Sequence, residues 1–185
     1  MGCSGILLTG GASTRMGRDK ATLVIGGQTL AARTALLLVA VCDPCVEVGP
    51  GVSGLEAVRE DPAGGGPLVA LAAGATAVGT SAPALVLACD LPRLTPKALR
   101  WLVEHPSPRS VVPIWEGRPQ PLCARWSAEA LAAADRLVRT GARAMRALLE
   151  DVDPELVEVP AELRGALEDV DTPDQLAGLP GVDSP

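Results

Sequence analysis

Phenylalanine and tyrosine are absent from the chain, histidine occurs once, and three tryptophans supply its large aromatic rings. A core of ordinary size must therefore be filled by Leu, Val and Ala. Histidine chemistry has one candidate, His105, which falls in "VEHPSP" at an expected helix end. There it is read as meeting the last helix carbonyls, not substrate. Positive charge is scarce too: 16 Lys and Arg against 22 Asp and Glu leave a formal net charge of -6. That balance argues against a general nucleic-acid or membrane-surface binder, either of which needs a broad positive field. No apolar run approaches the roughly 20 residues that span a bilayer. The opening "MGCSGILLTGG" lacks a basic segment and a cleavage site, and its Gly2 leads into a strand-like run, so neither export nor acylation is expected. Cysteine is present but odd in number, five in all, which fits reduced thiols and a cytoplasmic protein. Cys42 and Cys45 form a C-x-x-C in "VCDPC", between a helix-like segment and a strand and with no second pair to complete a zinc site. They are read as structural.

What is present is an alternation. "GILLTG" (5–10), "CVEVG" (45–49), "LVLACD" (85–90) and "SVVPIW" (110–115) read as strands. The first and third are nearly continuous apolar runs, as in strands covered on both faces. Amphipathic segments lie between and after them at 28–41, 66–79, 95–105, 127–140 and 142–152. Thr95 and Ser127 are expected N-caps, with Pro96 at a first helical position. This order predicts an α/β fold, a three-layer α/β/α sandwich on a mainly parallel sheet. One domain is expected over 1–178, with 179–185 a loose tail. Right-handed crossovers place every strand's C-terminal end on one rim, where the active site is expected.

On that rim lies "LTGGASTRMGRDK" (8–20). Gly10 and Gly11 follow the first strand, and glycine lets main-chain amides come close to a ligand. Successive amides in such a loop form an anion-binding nest. Arg15, Arg18 and Lys20 add full charges, the arginines as bidentate forks and the lysine as a point charge. The loop is neither G-x-x-x-x-G-K-[ST], since Asp19 precedes Lys20, nor G-x-G-x-x-G, since Ala12 fills the third place. On an acidic protein, these cations make a local seat for a polyphosphate; the ordinary alternative is a solvated charged turn. Asp90, at the end of "LVLACD", is a carboxylate suited to Mg2+, which takes one or two carboxylates plus phosphate oxygens. The alternative there is a helix cap. Asp169 and Asp171 in "EDVDTP" could face one site from alternate positions of an extended segment, or Asp171 could cap a following helix.

"LLTGGASTRMGRDK" resembles the L-x-G-G-x-S-x-R-M-G-x-D-K signature of the MobA-type molybdenum cofactor guanylyltransferases. That family sits in a larger nucleotidyltransferase group with a Rossmann-like sheet. Further segments extend the resemblance over almost the whole chain: "REDPAGGGPLVAL" (59–71), "ACDLPRLTP" (88–96), "RPQPLCARW" (118–126), "TGARAMRALL" (140–149) and "DVDTPDQL" (169–176). It implies transfer of GMP from GTP to the phosphate of molybdopterin with release of pyrophosphate, and handover to other cofactor-assembly proteins and molybdoenzyme chaperones. Carried over residue by residue, Lys20, Arg15 and Asp90 become catalytic. Leu8, Gly10, Gly11, Lys20, Asp61 and Asp90 become nucleotide contacts. Asp90 and Asp171 would hold Mg2+, and Arg143 with Asp169 would receive the acceptor. Glu60 is an alternative to Asp61.

Three departures stand out. Asp169-x-Asp171 replaces the family's usual Asn-x-Asn and is more typical of the MocA-type cytidylyltransferases. Gly49 stands where an Asn often follows the second strand, and the late helix opens Gly141-Ala142-Arg143 instead of Gly-Glu-Arg. The Gly10-Gly11 pair favours the guanylyl branch over the cytidylyl branch, which usually has Ala-Gly. A CTP-dependent relative, a transferase to another phosphorylated acceptor, and a silent nucleotide- or cofactor-binding protein are the competing readings.

Overall fold

The computed structural model describes residues 2–10 and 20–168. Gly11, Arg15, Arg18, Asp19, Asp169, Asp171 and the expected tail at 179–185 lie outside the described residues. The element order is β1 (Ser4–Leu8), the small hairpin β2 (Val24–Ile25) and β3 (Gln28–Thr29), α1 (Leu30–Val39), β4 (Cys45–Val48), β5 (Glu56–Val58) and α2 (Pro67–Val78). It continues with β6 (Ala84–Ala88), α3 (Pro96–Val103), β7 (Val111–Trp115), β8 (Arg118–Pro119), β9 (Cys123–Trp126), α4 (Ala128–Arg139), α5 (Met145–Val152) and β10 (Glu155–Glu158). Two short 3-10 segments occupy Lys20–Thr22 and Ala161–Leu167.

The main sheet runs β10-β7-β9-β6-β1-β4-β5, with β8 paired to β7. β1 pairs in parallel with both β4 and β6, as do β4 with β5 and β7 with β10. β9 is antiparallel to β6 and β7, and the two-residue β8 is antiparallel to β7. The expected α/β/α sandwich with a mainly parallel sheet is thus observed. Every residue of β1 is buried, as its unbroken apolar run requires.

Each face of the sheet carries its own core. Leu7, Leu38, Leu85, Leu87, Leu99 and Leu102 pack on the α1/α3 side, and Ile6, Leu68, Leu71, Val86, Trp126 and Leu131 on the α2/α4/α5 side. Trp126 is the large ring at the centre of the second core, fully buried, with its indole N–H donated to the Pro121 carbonyl at 3.1 Å. Burying the ring without that partner would leave a costly unpaired donor. The helices start where side chains can cap them: Thr95 accepts from the Ala98 amide at 3.3 Å and Ser127 from Ala130 at 3.2 Å. Pro96 takes the first turn of α3 as expected. His105 departs from expectation. Its Nδ1 accepts from the Ser107 amide at 3.4 Å, so the ring organises the following turn instead of the helix carbonyls.

Cys42 and Cys45 are free thiols, and the Cys45 thiol donates to the Cys42 carbonyl at 3.2 Å. Burial and the nearby Asp43 charge push Cys45 up to about 11, so it stays protonated at neutral pH. Cys42 lies in the turn after α1 and Cys45 opens β4, a placement that agrees with the structural reading. At one border of the sheet, β10 lies between Pro154 and Pro160, with Leu156 exposed and acids at 155 and 158.

Candidate active site

Strand β1 decides where a ligand can sit. β4 lies on one side of it and β6 on the other, and the paired register Leu8↔Val48 and Leu8↔Ala88 brings all three C-terminal ends to one rim. The chain reverses direction across the sheet here, leaving a crevice beyond the strand ends. Gly10 is two residues past the end of β1 and Asp90 two residues past the end of β6, so the fold delivers both to that crevice. Lys20 re-enters the described chain at the head of the 3-10 turn Lys20–Thr22, whose Ala21 is buried in the α1-side core. Of the expected nucleotide contacts, Leu8, Gly10 and Asp90 converge through the strand register. Lys20 follows the same loop, while Gly11 and Arg15 lie outside the described residues.

Gly10 does not adopt positive φ. A Cβ there would make only ordinary contacts, 3.9 Å from the Val48 carbonyl and 4.0 Å from Glu60 Oε1. What glycine provides at this position is open space beside the main chain, the space an anion needs to reach an amide. Gly49 is different. A Cβ there would lie 2.1 Å from Thr9 Oγ1 and 3.0 Å from the Gly10 nitrogen, so this departure from the family pattern follows from packing against the loop before Gly10.

Glu60 and Asp61 separate. Glu60 is half-buried, faces Gly10, and accepts from the Gly64 amide at 2.8 Å; Asp61 is exposed beside it. Gly66 enters α2 at φ 99, where any Cβ would be 2.9 Å from the Arg143 carbonyl. That carbonyl accepts from the Leu68 amide at 3.0 Å, which brings the start of α5 against the glycine loop. The Arg143 guanidinium itself turns to the end of α4 and donates to the Val138 and Ala142 carbonyls at 3.2 and 2.8 Å. Arg146 pairs with Glu150 on the exposed helix face.

Asp90 is half-buried at the rim, and its charge adds to burial in pushing the Cys123 thiol up to about 12. Among the described residues no group of three or more His, Cys, Asp or Glu could hold a metal. The Asp90 carboxylate is a hard oxygen donor at the rim, the kind of ligand that Mg2+ takes beside waters and phosphate oxygens. The rim also holds a residue that sequence reasoning missed. Glu47, in the middle of β4, is fully buried and accepts from the Thr9 hydroxyl at 2.5 Å and from the amides of Gly51, Val52 and Ser53 at 2.7, 3.1 and 2.8 Å. A lone acid inside "CVEVG" was the available signal. A cavity of about 310 Å³ lies at the other end of β7, lined by Arg109, Ser110, Ser127 and Arg136 among others. Its arginines are already paired with Asp153 and Asp151.

No helix among the described residues is long and apolar enough to cross a membrane. Residues 5–158 match the model of the MobA-like NTP transferase domain. A protein of Mycolicibacterium paratuberculosis named "Probable molybdenum cofactor guanylyltransferase" is 37% identical over 171 residues, covering 86% of this chain and 87% of its own. A protein of the same name from Pelotomaculum thermopropionicum is 35% identical over 143 residues, 74% of this chain and 69% of its own. Among solved structures, molybdopterin-guanine dinucleotide biosynthesis protein A of Archaeoglobus fulgidus superposes with a TM-score of 0.71 at 22% identity, covering 94% of this chain and 95% of its own. With a glycine just beyond its first strand, an aspartate beyond the parallel neighbour and a family match over most of its length, the chain belongs to the MobA-like NTP transferases.

Proposed function

We propose that this protein is a Mg2+-dependent molybdenum cofactor guanylyltransferase, which transfers GMP from GTP to the phosphate of molybdopterin and releases pyrophosphate. The observation that carries the proposal is the placement of Gly10 and Asp90 at the ends of adjacent parallel strands, in a chain whose relatives bear that name. A phosphate oxygen of the acceptor attacks the α-phosphorus of GTP in line; the bond to the bridging oxygen breaks, and pyrophosphate leaves. Such a reaction asks the protein for positioning and charge neutralisation more than for covalent chemistry.

In this reading the main chain at Gly10 and Gly11 receives the triphosphate, and Lys20 and Arg15 balance its charge. Leu8 and Asp61 border the nucleoside, with Glu60 facing the same loop. Asp90, with Asp171 as second carboxylate, would hold Mg2+, which when bound offsets negative charge on the phosphate oxygens. Arg143 and Asp169 are assigned to the acceptor side by the resemblance; the Arg143 guanidinium would have to exchange the Val138 and Ala142 carbonyls for an acceptor phosphate. Handover of product to cofactor-assembly proteins and molybdoenzyme chaperones completes the proposal, with the cytoplasm as its site.

The test is pyrophosphate release with each of the four ribonucleoside triphosphates, molybdopterin and Mg2+, beside thermal stabilisation by GTP–Mg2+ and CTP–Mg2+. Release with GTP, and greater stabilisation by GTP, are expected. Preference for CTP would move the chain to cytidylyl transfer. No release with any nucleotide would leave a binding protein.

A further inference from the structure

Glu47 is the one fully buried acid among the described residues. Taking a carboxylate out of water costs several kcal/mol unless its oxygens are well bonded, and a valine would satisfy a strand covered on both faces. The fold nevertheless keeps an acid here and surrounds it with one hydroxyl and three main-chain amides. These donors come from two segments that meet at the rim. One is Thr9, the residue before Gly10. The other is the turn Gly51–Ser53 after β4.

The consequence falls on the peptide joining Thr9 to Gly10. Thr9 is held twice: its amide donates to the Val48 carbonyl at 3.1 Å, and its hydroxyl to Glu47. The turn beneath it is held as well, by the Glu47 carboxylate and by the Gly49 amide, which donates to the Val58 carbonyl at 3.0 Å. Gly49 then lets the two segments touch, since any side chain there would displace the Thr9 hydroxyl. Without the carboxylate, the Thr9 hydroxyl and three amides would lose a shared acceptor at the position where the glycine-rich loop departs from β1.

We infer that Glu47 is a positioning residue for nucleotide: through Thr9 and the 51–53 turn, it fixes the direction in which the Gly10 main chain meets the triphosphate, without touching it. The inference rests on the reading of the Gly10 loop as the triphosphate seat. It gives an acid buried in a strand a role in affinity.

The experiment uses the full chain and two probes, magnesium tripolyphosphate, which needs neither guanine nor acceptor, and GTP in the pyrophosphate-release assay. The variants are Thr9→Val, which removes only the hydroxyl donor, Thr9→Ser, which keeps it, Glu47→Gln, and the Thr9→Val/Glu47→Gln double variant. Tripolyphosphate affinity is expected to fall about tenfold in Thr9→Val and in Glu47→Gln, with KM for GTP rising in step and kcat changing less than threefold. Thr9→Ser retains affinity within twofold, and the double variant is no weaker than the worse single one, because both substitutions break one link. A purely structural Glu47 would lower the melting temperature and leave the affinity of the folded protein unchanged, and that result would overturn the inference. So would equal losses in Thr9→Ser and Thr9→Val, or additive losses in the double variant, or a wild-type chain that does not bind tripolyphosphate. If wild type binds tripolyphosphate in the expected pattern yet turns over no GTP, the positioning role stands and the guanylyltransferase reading falls.

Discussion

Acid should expose the energetic weight of Glu47 in a way that isolates it from the other carboxylates. Burial alone pushes this carboxyl up, but the bonds from Ser53 and Thr9, with those from the neighbouring amides, outweigh it and hold the group at about 2 against an ordinary 4.5. A fall of that size corresponds to about 3 kcal/mol of extra stability for the ionised form in the folded protein. Because the folded value lies below the unfolded one, the contribution is complete above pH 4.5 and drains away as pH drops toward 2. Glu47→Gln keeps the volume and removes the charge, so the difference between the two proteins cancels most other titrations. Urea unfolding from pH 7 to pH 2.5 should show wild type ahead by about 2 to 3 kcal/mol near neutrality. That lead should be flat down to about pH 5 and then shrink by at most ~1.4 kcal/mol per pH unit. A lead that stays constant to pH 2.5, or grows on acidification, would refute the reasoning, because it would mean that the carboxylate is not preferentially ionised in the fold.

Asp90→Ala is expected to lower kcat at least a hundredfold, on the order of 3 kcal/mol, for loss of a metal-linked charge contact, while circular dichroism shows the fold retained; full turnover would mean the metal is held elsewhere. Lys20→Ala should weaken GTP binding about tenfold or more, the size of a lost charge-assisted hydrogen bond, measured by calorimetry with GTP–Mg2+. Gly49→Ala places a methyl 2.1 Å from the Thr9 hydroxyl and should cost about 2 kcal/mol by overpacking. In a chain of this size that is a drop of about 4–8 °C in melting temperature by calorimetry; an unchanged melting temperature would show that the rim is looser than it looks.

Much of this was legible because long elements announce themselves. The five α-helices among the described residues appear within a few residues of their amphipathic segments, and Thr95 and Ser127 could be read as caps because a short hydroxyl side chain ahead of an apolar period has little else to do. Two-residue strands such as β2, β3 and β8 carry no periodicity, and the reversed direction of β9 is set by pairing across distant segments that no local pattern encodes. In the site, Gly10 and Asp90 stood out because each follows an apolar run that ends at the rim. Glu47 did not, since an acid between valines reads as a surface residue until the amides that turn back onto it are seen. Gly49 showed in the sequence only as a departure from the family's usual Asn; that a small residue is required beside Thr9 becomes visible once the two segments are packed together. Asp169 and Asp171 remain legible in sequence alone.

Among the described residues the strand at Glu155–Glu158 is the outermost at its border of the sheet, which bears on how this molecule can meet its own copies. An outermost strand offers half its main-chain groups to any passing chain. Here the prolines at 154 and 160 withhold a donor at either end, and two acids among four residues would face their own kind in a head-to-head pairing. Leu156 alone invites contact. Ribbon-like growth from sheet to sheet is thereby discouraged at this border.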